Sequence, residues 1–332
     1  MKHLLLKNAS FRYLEQSFKE WLGTLGYAPI TVYGMPTLAR EFLHYLESIN
    51  IKAMNAKHIR AYYAQLKQRS NTQHDGALSN SYLNKHIQAI RKFTDYLRQV
   101  GRLDLVASPL KNEEADTGPI AVLSVEEIEL LFAATYKEAT YICPEKVEHL
   151  QSRDRAMLAV YYGCGLRRNE GVNLDIGDID FEKSLLHVRK GKNYKERFVP
   201  ISKASLKYLR DYVYDHRPEL LQDGKSEALF ISLRFHRMRG QSLILRLKHM
   251  QSVTGDGVLN EKEIGLHTLR HSIATHLLQA GMKMESISRF LGHSSLASTQ
   301  RYTHLLGLNY RRIQRFKNIP AHEYIRLHPD EL

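Results

Sequence analysis

Residues 267–302 read HTLRHSIATHLLQAGMKMESISRFLGHSSLASTQRY. Apolar residues at Leu266, Leu269, Ile273, Ala274, Leu277 and Leu278 recur at helical spacing and predict a helix from Leu266 to Gln279. Gly281 follows as its stop signal. Met284 to Leu291 predicts a second, short helix closed by Gly292. Ser294 or Ser295 can cap a third helix that carries Tyr302. His267 and Arg270 are three apart, so one helix face presents both. His293 falls at the break after Gly292.

These residue types suit phosphoryl transfer. An Arg offers a planar fork of donors matched to phosphate oxygens. A His can donate to the same group or move a proton. A Tyr hydroxyl can attack phosphorus and form a covalent intermediate. No acidic cluster accompanies them, so side chains would have to stabilise the charge, with no metal and no cofactor. Taken singly, each residue has a plainer explanation. An Arg is most often a surface ion-pair partner, and Tyr302 is one of 19 tyrosines. His267 and His271 are four apart and can chelate a metal, but no carboxylate or Cys is placed to complete the set.

Upstream, SRDRAMLAVYYGCGLRRNEG (152–171) predicts a buried helix, a tight turn at Gly163 and Gly165, and then Arg167. From Asp175 to Ser202 the period changes. Short runs with β-branched residues, separated by FEKS and GKNYKE turns, predict a small three-stranded antiparallel sheet with Lys190 at the start of the second turn. Helices are expected over residues 204–213 and 242–250, and a loop over 251–265.

Residues 1–112 read as four helices, near 11–25, 31–48, after Asn55, and 81–100 capped by Ser79. Lys85, Arg91, Lys92 and Arg98 decorate the fourth and are candidate DNA contacts, with a solvated surface as the plain alternative. Residues 107–120, ASPLKNEEADTGPI, carry two Pro, a Gly and an acidic run without apolar periodicity. The domain boundary is therefore expected at 113–120, with a second domain over 121–332 that opens on a capping box, Ser124 with Glu127. Residues 137–151 break the helical pattern.

The chain has 332 residues, enough for two domains with real cores. Its net charge of +13 points to a polyanionic partner, most simply nucleic acid. Residues 1–112 hold 16 Lys and Arg against 7 Asp and Glu, and the other 220 hold 32 against 28, so the N-terminal third is the stronger electrostatic binder. Two cysteines, Cys143 and Cys164, argue against a disulfide framework or a zinc site. The opening MKHLLLKNASFRYLEQ has an apolar run of only three, and no run approaches a membrane span, so a cytoplasmic protein is expected.

Three pieces, HTLRHSIATHLLQAG, LGHSS and TQRYTHL, occur in the order found in the tyrosine recombinases, the phage-integrase family, and the chain especially resembles its Xer-type branch. The resemblance implies a mainly α fold with a small antiparallel sheet, arranged as a two-domain C-shaped clamp around DNA. It assigns Tyr302 as nucleophile, Arg167, Arg270, His267 and His293 as phosphate ligands and proton handlers, and Lys190 as general acid, and it leaves His271 and His276 structural. Glu170 would support one of the basic residues. The family's usual Gly-Leu-Arg pattern continues with an aliphatic residue, a small residue and then Glu. Here Arg168 replaces the aliphatic residue, and Gly171 follows Glu170. Arg168 remains an alternative phosphate ligand and Lys192 an alternative to Lys190. In RKGKNYKERFVPI, Arg189 stands where the family has its first Gly. Residues 137–151 look like a modest insertion.

The implied activity is site-specific recombination of duplex DNA at inverted-repeat half-sites. It would run through a 3′-phosphotyrosyl intermediate and a Holliday junction, in a homo-tetramer or with a related recombinase. A tail helix near Leu305 to Phe316 would dock on a neighbouring subunit. The competing reading is a DNA-binding accessory protein that does not use catalysis.

Overall fold

The computed structural model describes residues 4–47, 49–71, 76–102, 108–114, 121–137, 144–189, 196–222 and 224–292. The chain divides into two compact units, the first ending at residue 118 and the second starting at 119.

The first unit is helical. α1 (Ala9–Thr24) starts where the Asn8 side chain accepts from the Ser10 backbone N–H, and it buries Phe11, Leu14, Phe18 and Leu22, a single helical stripe. α2 (Pro29–Tyr45) begins on a proline at its first position, where the missing N–H costs nothing, and continues through Pro36. α3 (Ala56–Gln68) is capped by Asn55, and α4 (Asn80–Gln99) by the Ser79 hydroxyl, which accepts from the Tyr82 N–H. Phe18, Phe42, Ile59, Ile87, Ile90 and Phe93 are all fully buried in one core. Within that core the Tyr62 hydroxyl meets His86 Nδ1 at 3.3 Å, and Arg69 pairs with Glu41 at 2.7 Å. Glu113 falls inside the stretch expected as linker, yet its backbone exchanges two hydrogen bonds with the Asn84 side chain. Its carboxylate accepts from Tyr63 and Lys67, so the first unit's packing reaches that far.

The second unit opens with α5 (Val125–Lys137), where Ser124 and Glu127 exchange the two bonds of a capping box. α6 (Val147–Leu158) runs into a π-helical turn, Ala159–Gly163, and Met157, Leu158, Val160 and Tyr161 form the centre of the core. After the turn at Gly165 comes α7 (Arg168–Val172). The three-stranded antiparallel sheet has the order β1 (Ile179–Asp180), β2 (Leu185–Val188), β3 (Arg197–Pro200). Its register pairs Leu186 with Val199, both buried.

α8 (Lys203–Arg210), a π-helical stretch (Asp211–His216), α9 (Arg217–Leu221) and α10 (Gly240–Val253) follow. Residues 251–265 are not the plain loop that their glycines suggest. α10 extends to Val253, and α11 (Gly257–Glu261) forms where Asp256 Oδ1 accepts from the Leu259 N–H at 2.7 Å. α12 (Leu266–Gln279) and α13 (Met284–Leu291) match the expected helices, and Gly292 closes the second in the left-handed conformation at φ 64°. The expected cap at Ser294 or Ser295, the helix carrying Tyr302 and the tail helix lie outside the described residues. Among the described residues no helix is long and apolar enough to cross a membrane.

Candidate active site

The end of α13 brings three arginines to one buried carboxylate. A helix leaves its last carbonyls without intrahelical donors, and its C-terminus carries partial negative charge. Here three successive carbonyl oxygens each accept from a different arginine. Phe290 O accepts from Arg197 Nε at 3.2 Å, Leu291 O from Arg270 Nη2 at 2.6 Å, and Gly292 O from Arg167 Nη2 at 2.8 Å. The arginines arrive from three elements: β3, α12 and the residue just before α7.

Glu170 sits among them. Its carboxylate accepts from Arg167 Nη1 at 2.7 Å and from the Arg167 backbone N–H at 2.9 Å. It accepts from Arg197 through both Nη atoms, at 3.0 and 2.9 Å. Arg270 Nη1 lies 3.8 Å away. Burial by itself would raise the Glu170 pKa, but Arg197 first and Arg167 second outweigh it and hold the carboxyl at about 2. The site therefore keeps a permanent negative charge at the meeting point of three guanidinium groups.

Arg270 is almost fully buried at 2% exposure, and its second anchor is Gly165 O at 2.6 Å. His267, one turn earlier, is exposed. The shared face expected from their spacing thus splits by depth: Arg270 forms the floor and His267 the rim. Desolvation, followed by the positive charges of Arg270, Arg168 and Arg167, lowers the His267 pKa and favours the neutral ring. Arg168 is itself exposed at the start of α7. His271 lies beside His267 with ring centroids 6.4 Å apart, and buried His276 pairs through Nδ1 with the Tyr162 hydroxyl at 2.9 Å.

Of the six residues singled out for catalysis, Arg167, His267 and Arg270 are described and come together. Lys190, His293 and Tyr302 lie outside the described residues, as does Lys192. The residue before Lys190 is described. Arg189 donates to Asp175 at 2.8 Å and pairs with Asp178, while Asp175 is also held by Arg237. The Arg that stands in place of a Gly therefore anchors the end of β2 to the segment before β1.

In the first unit, Lys85 is exposed, and Lys92 and Arg98 both approach Asp95, at 3.9 and 3.5 Å. Arg91 directs its fork at Leu110 O and the Asn112 side chain, which ties α4 to the 108–114 segment.

The sequence reading missed Arg197. The available signal was Glu170: a carboxylate destined for burial beside two arginines in a tight turn needs more than one donor, and β3 is the neighbouring element with a cation.

Comparison with known proteins extends this picture. Residues 122–307 match the model of the phage integrase family. The chain is 34% identical over 220 residues to the tyrosine recombinase XerD of Proteus mirabilis, covering 66% of each chain. It is 41% identical over 168 residues to XerD of Pseudomonas putida, where it spans about half (55%) of that relative's length. With XerC of Chromobacterium violaceum the match is 32% over 293 residues, 87% of this chain and 88% of the relative. Among solved structures, XerH bound to its difH substrate superimposes with a TM-score of 0.63 at 19% identity, covering 89% of this chain and 82% of that one. A lambda integrase dimer bound to a COC′ core site gives 0.62 at 13%, covering 88% and 94%. The fold is thus the tyrosine-recombinase fold. With the family's domain matched over more than half its length and its arginines gathered at one helix end, the chain belongs to the phage integrase family, as a tyrosine recombinase of Xer type.

Proposed function

We propose that this protein is a site-specific DNA recombinase that cleaves and rejoins duplex DNA through a 3′-phosphotyrosyl intermediate. The observation that carries the reading is the meeting of Arg167, Arg270 and the end of α13, the residue before His293, around the buried Glu170 carboxylate. That arrangement fixes two guanidinium groups beside the neutral ring of His267, a set of donors suited to an anionic pentavalent transition state.

In the proposed reaction the Tyr302 hydroxyl oxygen forms a bond to the scissile phosphorus. The bond from phosphorus to the 5′-oxygen breaks, and Lys190 gives that oxygen a proton. His267 or His293 takes the proton that leaves Tyr302. One phosphodiester is exchanged for another, so no nucleotide hydrolysis is needed, and attack by a 5′-hydroxyl reverses the step.

The two units would grip duplex DNA together as a clamp, with Lys85, Lys92 and Arg98 on α4 as contacts from the first unit. Four protomers, or this chain with a related recombinase, would exchange strands at inverted-repeat half-sites through a Holliday junction, in the cytoplasm.

Covalent capture tests the reading. Wild type and Tyr302→Phe are mixed with sheared genomic DNA of the source organism and denatured, and the DNA attached to protein is sequenced. Attachment at one motif by the wild type alone supports the nucleophile and reveals the target. Absence of attachment from both proteins favours the accessory DNA-binding reading.

A further inference from the structure

Arg197 was not among the residues that the sequence singled out. It makes three directed contacts: Nη1 to Glu170 Oε1 at 3.0 Å, Nη2 to Glu170 Oε2 at 2.9 Å, and Nε to Phe290 O at 3.2 Å. The pairing with Glu170 is bidentate, the strong form of an Arg–carboxylate contact. Both side chains are largely buried, with 12% and 3% of their surfaces exposed. A single carboxylate thus serves three guanidinium groups, and Arg197 takes both of its oxygens. Were Arg197 absent, the whole negative charge would fall on Arg167 and Arg270, the two arginines that the functional reading above assigns to the phosphate.

We propose that Arg197 is a positioning residue for strand cleavage. It neutralises Glu170, so that this carboxylate orients Arg167 without cancelling the positive charge that Arg167 and Arg270 offer the transition state. Through Phe290 it also fixes the end of α13, from which His293 follows. The inference rests on the phosphoryl-transfer reading above.

The groups facing Glu170 are Arg167 at the start of α7, Arg197 on β3 and Arg270 on α12, with His267 and Tyr161 inside its field. With Arg197 in place the carboxyl stays ionised at any working pH. In Arg197→Gln the burial that raises its pKa meets less opposition. A proton then taken up by Glu170 removes its pull on Arg167 and Arg270. A purely structural role for Arg197 predicts no such dependence.

The test uses the full chain and a synthetic duplex carrying the sequence found by covalent capture. Arg197→Gln is expected to form adduct about 10- to 100-fold more slowly, the scale of losing a group that orients a reacting residue, while duplex binding changes little. The ratio of variant to wild-type rate should rise as pH is lowered from 8 to 5. Adding Glu170→Gln to Arg197→Gln should recover rate, giving strong coupling in the double-mutant cycle. Equal rates, or a slow variant with a flat ratio and no recovery, overturn the proposal.

A second measurement needs no DNA. The Glu170 side-chain carboxyl is titrated by NMR in wild type and in Arg197→Gln, and its pKa should rise in the variant, because burial then meets less opposition. If wild type forms no adduct with any DNA, the functional reading fails, and this titration decides the role of Arg197 alone. An unmoved Glu170 overturns it.

Discussion

Arg167 donates to the carbonyl oxygen of Gly292 at 2.8 Å across 125 residues of chain. The bond depends on Gly292 holding φ at 64°, where an L side chain is strained. A Cβ there would also stand 2.7–2.8 Å from Nη1, Cδ and Cζ of Arg197. Gly292→Ala therefore combines a backbone cost of about 1 kcal/mol with an overpacking cost of about 1–3 kcal/mol. The expected outcome is a thermal midpoint several degrees lower and slower adduct formation, because relief of the clash displaces Arg197. An unchanged midpoint would show that the α13 terminus yields without cost.

The legible and illegible parts of this site divide by distance along the chain. Helices α12 and α13 and the break at Gly292 follow from apolar spacing and one glycine, signals contained within a few residues. The meeting of Arg167, Arg197 and Arg270 at residues 290–292 joins segments separated by 125, 93 and 21 positions, and no local pattern encodes it. α11 was missed because Gly255 and Gly257 look like loop residues, although Asp256 between them is the cap that starts the helix. Arg189 in place of a glycine becomes intelligible once Asp175 and Asp178 are seen to flank it.

Gly171, the other departure from the family pattern, also has a packing cause. A Cβ at this position would lie 2.5–2.7 Å from the ring and hydroxyl of Tyr161, which is fully buried and donates to Arg168 O at 3.1 Å. Gly171→Ala should cost about 1–3 kcal/mol by overpacking, seen as a lower midpoint in urea. Tyr161→Phe deletes the hydroxyl that makes one of the close contacts. The double variant is expected to lose less than the sum of the two single losses; simple additivity would place the strain elsewhere.

Glu170 predicts how the second unit responds to acid. Its carboxyl titrates near 2 when folded, against an ordinary value near 4.5. The folded state binds this proton less readily than the unfolded chain. The stabilisation is therefore complete above about pH 4.5 and is lost as pH falls towards 2, on the order of 3 kcal/mol in all. Glu170→Gln should be less stable at pH 7 and should show a shallower loss of midpoint between pH 4.5 and 2.5. An acid limb of unchanged steepness would mean that other carboxylates dominate it.

Duplex affinity should fall steeply with salt. A net charge of +13, concentrated in residues 1–112, implies release of several counterions on binding. Measured from 50 to 200 mM salt, log affinity should decline linearly with log salt at a slope equivalent to several phosphate contacts. Lys85→Ala and Arg98→Ala should each reduce the slope by about one if the side chain meets a phosphate. Arg91→Ala differs in kind: its fork is committed to Leu110 and Asn112, so the loss should appear in stability. A flat salt response would count against the grip on duplex DNA.

His86 makes the first unit sensitive to a milder pH range. Its ring is fully buried and its Nδ1 meets the Tyr62 hydroxyl; its Nε2 lies 3.9 Å from the Glu41 carboxylate and has no hydrogen-bond partner among the described residues. Burial pushes its pKa down to about 4, Arg69 adds to the shift, and Glu41 opposes it. The unfolded chain takes up the proton at about 6.5, whereas the folded unit refuses it until about 4. Stability is therefore full above pH 6.5 and declines as pH falls to 4, by up to about 3 kcal/mol. Trp21, the single tryptophan of the chain, packs against Phe18 and Tyr96 in this unit, so its fluorescence follows the unfolding of this unit. Urea midpoints read at Trp21 should fall between pH 7 and 5, above the range in which ordinary carboxylates titrate. His86→Gln keeps an acceptor for the Tyr62 hydroxyl but cannot titrate, so its midpoint should be nearly flat over the same interval. A variant with the wild-type slope would assign the dependence to another group.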